Sequence, residues 1–198
     1  MKIIIVGATG TIGKKVVNAL GNDHQIIRAA SKSGDIHVDI TSPESIEKFF
    51  KEIGSFDALI STTGEGHFAS LDKMTDKDFR KGINSKLMGQ INLVLTGQHF
   101  INPKGSFTLT SGILSEDPVA AGANLSAVNG AINAFVIGAS IELNNGVRIN
   151  AISPGVVEDS PAFFPFFPGH IPVTMARVVN AYLKSVFGSL TGQVIKVY

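Results

Sequence analysis

No cysteine occurs in the 198 residues. That excludes disulfides, thiolate metal sites and a cysteine nucleophile, and it fits a reducing cytoplasm, the expected location. Charge is also scarce, at 17% of residues against a usual share of about 25%. The net charge is +1 and no run of one sign occurs, so neither nucleic acid nor an anionic membrane surface is an expected partner. Tyrosine is confined to Tyr182 and Tyr198. No spacing of His, Asp and Glu suggests a metal site. The apolar start before Gly7 is too short for the core of a signal peptide and has no cleavage site after it. Pro118 to Ile141 carries no charge at all, yet Asn124, Ser126, Asn129, Asn133 and Ser140 would be costly in lipid, so no membrane span is expected.

Hydrophobic residues at 44% exclude disorder, and the apolar segments alternate between two periods. Lys2 to Val6 is a continuous apolar run, the mark of a strand buried on both faces. A helix follows to about Leu20, then strands at Gln25–Ala30 and Ile36–Val38. Thr41-Ser42-Pro43-Glu44 reads as a helix start, and Phe56–Ser61 as a strand. Thr75-Asp76-Lys77-Asp78 opens a long helix with apolar residues at every fourth position from Phe79 to Leu95. Strands are expected at Ser106–Thr110, Val147–Ile152 and Gln193–Val197, with helices over Val119–Leu143 and Thr174–Phe187. Strand–helix repetition implies an α/β, doubly wound parallel sheet of about seven strands, one domain over 1–198, with ligands beyond the carboxyl ends of the strands.

Gly7, Gly10 and Gly13 lie between the first buried strand and its helix, the context a dinucleotide-binding turn requires. There Thr9, Thr11 and Ile12 would share the phosphate turn, with helix N–H groups as donors. An ordinary glycine-rich turn is the plainer alternative. The second strand ends Arg28-Ala29-Ala30-Ser31-Lys32-Ser33, without the acid that an NAD-preferring site uses on the ribose. Ser31, Lys32 and Ser33 could surround a 2′-phosphate, so NADP(H) is expected over NAD(H).

The order of motifs resembles the short-chain dehydrogenase/reductase family, almost end to end, and so implies a Rossmann fold. Asp39-Ile40-Thr41 resembles the family's adenine-binding acid, and Ser61-Thr62-Thr63-Gly64 its stretch after the fourth strand. Ile83-Asn84-Ser85 resembles the segment with its catalytic Asn, and Leu109-Thr110-Ser111-Gly112 the strand end with its catalytic Ser. Arg148 to Gly155 is similar to the strand and Pro154-Gly155 turn beside the nicotinamide, with Val157 just beyond, and Thr191 to Ile195 resembles the last strand. The resemblance implies cofactor contacts from these positions and catalytic roles for Ser111 and Asn84.

The family's Tyr-x-x-x-Lys is missing. Gly130 to Phe135 matches the segment after that Lys, which puts Asn129 in the Lys position and Leu125 in the Tyr position; a shift of one gives Val128 and Asn124. Leu125 cannot move a proton, whereas Asn129 could still bond ribose hydroxyls, so cofactor binding could outlast ordinary carbonyl–alcohol chemistry. His67 and His170 lie in loops that could approach the site, although an exposed loop histidine is the plainer reading of each. His24, His37 and His99 are read as structural.

The uncharged helix is apolar or small around most of its circumference. With the 75–98 helix, it is expected to form a homodimer or homotetramer interface. Residues 156–173 would form a substrate loop in which Phe163, Phe164, Phe166 and Phe167 either line an apolar pocket or pack onto the body or the subunit interface. Three functions stay open: an NADP(H)-dependent oxidoreductase with a non-standard active site, a catalytically inactive NADP(H)-binding sensor, and an interaction protein on the same fold.

Overall fold

Ile3, Ile4 and Ile5 have no solvent exposure, and consecutive residues enter opposite cores. Ile4 and Val6 join one hydrophobic cluster and Ile3 and Ile5 the other, the alternation expected of a strand covered on both sides. The structure, a computed structural model, describes residues 1–21 and 23–198.

Seven parallel strands form one sheet: β1 (Lys2–Val6), β2 (Gln25–Ala30), β3 (Ile36–His37), β4 (Phe56–Ser61), β5 (Ile101–Thr110), β6 (Arg148–Pro154) and β7 (Val194–Val197). Their order is β3-β2-β1-β4-β5-β6-β7. The chain therefore reverses direction across the sheet between β1 and β4, which places the switch point at the carboxyl ends of those two strands. One core takes side chains from α1 (Thr11–Leu20) and α6 (Met175–Phe187). The other takes them from α2 (Pro43–Ile53), α4 (Met88–Gly97) and α5 (Ala123–Ala139). No helix among the described residues is long and apolar enough to cross a membrane.

The start of α2 follows local chemistry. Ser42 Oγ accepts the Ser45 N–H at 3.1 Å, Pro43 takes the first turn, and Gly54 at φ +71° ends the helix. Between those ends, Ile46, Phe49 and Phe50 bury one face. At the far side of the sheet, Arg148 donates to the carbonyls of Ser185 (2.7 Å) and Val186 (2.8 Å), capping the end of α6.

Besides shifts of a few residues at other ends, such as α5 closing at Ala139 rather than Leu143 and β6 running to Pro154 rather than Ile152, three differences from the sequence expectation have a physical cause. β5 begins at Ile101 rather than Ser106; Ile101 pairs with Phe56 and Ser106 with Ala58, and Pro103 and Gly105 lie in the register shift between those pairs. α5 begins at Ala123 rather than Val119, because Ala121 takes a left-handed conformation (φ +61°) that breaks the helix. The long helix opened by Thr75 is not continuous. It runs as α3 (Asp76–Gly82), a π-turn at Ile83–Leu87, and then α4. A strict four-residue apolar repeat overruns the 3.6-residue turn by about 40° per step, and the wider π-turn takes up part of that drift.

Candidate active site

A groove runs along the carboxyl edge of the sheet in two stretches that share Gly64 and Glu65. The first lies over the switch point. Gly7, Thr9, Gly10, Ser31, Asp39, Ile40, Thr62 and Thr63 line it. Backbone packing dictates its glycines: Gly7 holds φ +86°, and a Cβ at Gly13 would stand 2.1 Å from the Gly7 carbonyl oxygen. Gly10 precedes α1 without a side-chain cap, so the first helix N–H groups stay open to the groove. Asp39 accepts from Thr41 N–H (2.9 Å) and Thr41 Oγ1 (2.7 Å), and these hydrogen bonds hold its carboxyl below the usual range.

Ser31 reaches this lining, while Lys32 and Ser33 are exposed outside it. The other cation of that segment, Arg28, is committed elsewhere: its guanidinium pairs with Asp35 at 2.6 Å. Thr11 is exposed, and Gly13 and Ser61 are buried behind the lining.

The second stretch is a cleft of about 480 Å³, within the range of roughly 300–1,000 Å³ usual for small-molecule sites. Ile12, Ser111, Leu125, Asn129, Pro154, Gly155 and Val157 line it, together with Lys86, Phe68, Phe163 and Phe167. Leu125 and Asn129 therefore mark the α5 register that faces the cleft. Val128 and Asn124 are buried instead. Asn124 is an anchor: it accepts the His67 N–H at 3.0 Å and donates to the Phe79 carbonyl at 2.7 Å, tying α3 to α5. Leu125 packs against a bare backbone, since a Cβ at Gly66 would fall 2.1 Å from Leu125 Cδ2. Asn129 Oδ1 is buried without a hydrogen-bond partner. That orphaned acceptor on the cleft wall, with the open donors at α1, fits a dinucleotide laid along the groove.

From the π-turn, Asn84 lies in the first stretch beside Ser85 and Lys81. The side chain that reaches Ser111 is Lys86, whose Nζ donates to the Ser111 carbonyl at 3.0 Å. Burial pushes the Lys86 ammonium down to about 8. Ser111 Oγ has only a long contact of 3.4 Å to the Ile152 carbonyl.

Neither tyrosine lines the groove. Tyr182 is fully buried, with its hydroxyl 2.7 Å from Thr110 Oγ1 and its pKa raised by burial. Tyr198 lies at the end of the chain beside Gly155. His67 Nε2 faces Asp78 at 3.9 Å and His170 Nε2 faces Asp117 at 3.7 Å, and neither histidine lines the groove. The phenylalanines divide their work: Phe163 and Phe167 line the cleft, while Phe166 packs on Phe68 at 5.6 Å between ring centres.

Residues 5–164 match the family described as enoyl-(acyl carrier protein) reductase. The chain belongs to the short-chain dehydrogenase/reductase family. A solved structure similar to this short-chain dehydrogenase/reductase is the protein lin1944 from Listeria innocua, 47% identical, with a TM-score of 0.98 over 100% of both chains. Another, a small-chain dehydrogenase in complex with NADPH, is 29% identical with a TM-score of 0.88, over 98% of this chain and 95% of that one. Among curated relatives, General stress protein 39 of Bacillus subtilis (strain 168) is 28% identical over 145 residues, 71% of this chain. The chain spans 48% of that relative's length.

Sequence reasoning did not single out Lys86, Glu65 or Gln90. A lysine in an expected regular helix reads as a solvated side chain, and only the π-turn turns this one inward. Gln90 was legible in principle, as an amide among the apolar residues of α4. It is fully buried, donates to the carbonyls of Thr110 (2.9 Å) and Lys86 (3.1 Å), and accepts the Thr110 N–H at 2.8 Å.

Proposed function

We propose that this chain is an NADP(H)-dependent oxidoreductase that reduces an electron-poor carbonyl or activated alkene in an active site built without the family's Tyr-x-x-x-Lys pair. The observation that carries this reading is the groove's continuity from the glycine turn to a cleft where Ser111 stands beside Lys86 and faces no phenol. The similar dehydrogenase in complex with NADPH supports the choice of cofactor.

Bound along the groove, the reduced nicotinamide nucleotide supplies a hydride. The chain's own residues do the rest. Gly7, Gly10 and the open N–H groups of α1 hold the pyrophosphate, and the Ser31–Ser33 segment takes the 2′-phosphate. Asn129 Oδ1 accepts from a ribose hydroxyl and so gains the partner it lacks. Ser111 Oγ turns from its long contact with Ile152 to position a substrate oxygen. Leu125, Phe68, Phe163 and Phe167 exclude water and favour an apolar or aromatic substrate.

Fluorescence titration with NADPH and NADH, followed by an NADPH-turnover screen over carbonyls, quinones and enones, tests the reading. Tighter NADPH binding with turnover of one class is expected. Binding without turnover would favour the inactive sensor, a reading supported by the apolar contact of Leu125 with Gly66 where a proton donor would stand. No binding of either nucleotide would leave an interaction protein. Exposed Leu95 on α4 and Ile137 on α5 support pairing of copies through these helices, with a dimer or tetramer expected by light scattering at micromolar concentration.

A further inference from the structure

Resting on that reading, the geometry points to Lys86 as the proton donor of this site, delivering a proton from Nζ to the substrate oxygen that Ser111 positions. The placement is built from several sides. Ser85 Oγ accepts the Glu65 N–H at 2.9 Å on one flank of the π-turn, and Gln90 ties the other flank to the end of β5. The stem of Lys86 is pressed onto the loop after β4, where a Cβ at Gly64 would lie 2.6 Å from Lys86 Cα and 2.9 Å from Lys86 Cβ. One ammonium proton bonds the Ser111 carbonyl, leaving two for a ligand.

Two ionisable side chains line the cleft, Lys86 and Glu65. Glu65 is exposed and forms no ion pair with Lys86 among the described residues. A lysine serving only to fill space would bear the desolvation cost of its charge for a single carbonyl contact, where an uncharged side chain would do. Tyr182, His67 and His170 are each held by other partners, as described above. Lys86 is left as the cleft group that can release a proton near neutral pH.

The step balances simply. A carbonyl carbon, or the β-carbon of an enone, gains hydride from the reduced nicotinamide, which leaves oxidised. The substrate oxygen takes the proton from Lys86 Nζ as an alcohol or enol, the N–H bond breaks, and the neutral amine recovers a proton from solvent.

Two readouts test the proposal. Competitive labelling of the wild-type protein with trace acetic anhydride, read by peptide mass spectrometry across pH, reports the titration of Lys86 without turnover. A midpoint near 8 is expected for Lys86, against roughly 10.4 for surface lysines. Turnover of 9,10-phenanthrenequinone with NADPH is the second. Lys86→Met should lower kcat by roughly 10²- to 10⁴-fold, with NADPH affinity held within about threefold, a shift under 1 kcal/mol. Lys86→Arg keeps the charge but yields no proton at neutral pH, so it should fall as far as Lys86→Met. Wild-type turnover in Lys86→Met, recovery in Lys86→Arg, or a labelling midpoint among the surface lysines would each overturn the proposal. A wild-type protein that binds no NADPH, or binds it and reduces neither quinone nor enone, overturns the oxidoreductase reading itself, and the proposal with it.

Discussion

Between Gly7 and Ile40 the groove is walled by main chain and short side chains, with open helix N–H groups, a tight turn and hydroxyls over a strand end. Between Lys86 and Asn129 it is walled by side chains, among them Ser111, Leu125 and Asn129. Backbone function survives substitution of most neighbours provided the glycines stay, because any added Cβ meets main chain. Side-chain function can be exchanged one residue at a time. The first region therefore reads as a cofactor seat from the sequence alone, and the second has to be read from geometry.

The largest effect expected from breaking this contrast is at Gly13. Gly13→Ala forces a Cβ to within 2.1 Å of the Gly7 oxygen, whereas the same change at Gly10 meets that oxygen at 3.3 Å. NADPH affinity measured by titration should drop more than about 100-fold for Gly13→Ala and about tenfold for Gly10→Ala. Equal affinities in the two variants would mean that the turn is not the phosphate seat.

Next comes cofactor choice. Ser31→Asp puts an acid at the end of β2, and should weaken NADPH by roughly 10- to 100-fold while leaving NADH equal or tighter. Loss of both nucleotides alike would place the 2′-phosphate elsewhere.

A smaller effect concerns stability in the side-chain region. The folded pKa of Lys86, about 8, lies below its ordinary value of 10.5. Between those values the unfolded chain holds the extra proton, so this group makes the fold more stable as pH rises, and its penalty is complete below pH 8. Lys86→Met should then raise Tm at pH 7 by roughly 2–5 °C, with the gain gone above about pH 10.5. An unchanged difference across that range, followed by scanning fluorimetry, would contradict a buried ammonium.

The smallest effect is expected at Asp78. Hydrogen bonds from Lys81 and Thr75 hold its carboxyl down at about 2, so its contribution is present above the ordinary carboxylate range and lost as pH falls towards 2. This pair is solvent-facing, and Asp78→Asn should shift Tm at pH 7 by no more than about 1 °C.

Legibility in the sequence followed the same divide. β1, β2 and β4 were readable to the residue, and the start of α2 to the Thr41–Glu44 stretch, since apolar runs and capping hydroxyls act locally. β5 was cut short because Pro103 and Gly105 look like loop residues, and only the pairing of Ile101 with Phe56, on the far side of a register shift, extends the strand past them. The start of α5 was missed because an uncharged stretch says nothing about the left-handed turn at Ala121. At the site, the glycine turn and the strand-end residues were found by pattern. Lys86 was not, because its direction depends on a change of helical pitch that residue types do not announce.

That pitch change makes the site depend on a number. α3 is fastened to α5 through Asn124 and Phe79, and α4 to β5 through Gln90 and Thr110. The five residues of the π-turn reconcile two fastenings that a regular helix would leave out of phase. Winding the same five residues as a regular helix would turn one half against the other by about 100°, so that Asn124 must release Phe79 or Gln90 must release Thr110. In genetic terms, the segment carries one residue more than a regular helix of the same phase needs, so a single codon separates a lysine held in the cleft from one on an ordinary helix. Comparisons among relatives should therefore weigh a gap in this segment as heavily as a substitution.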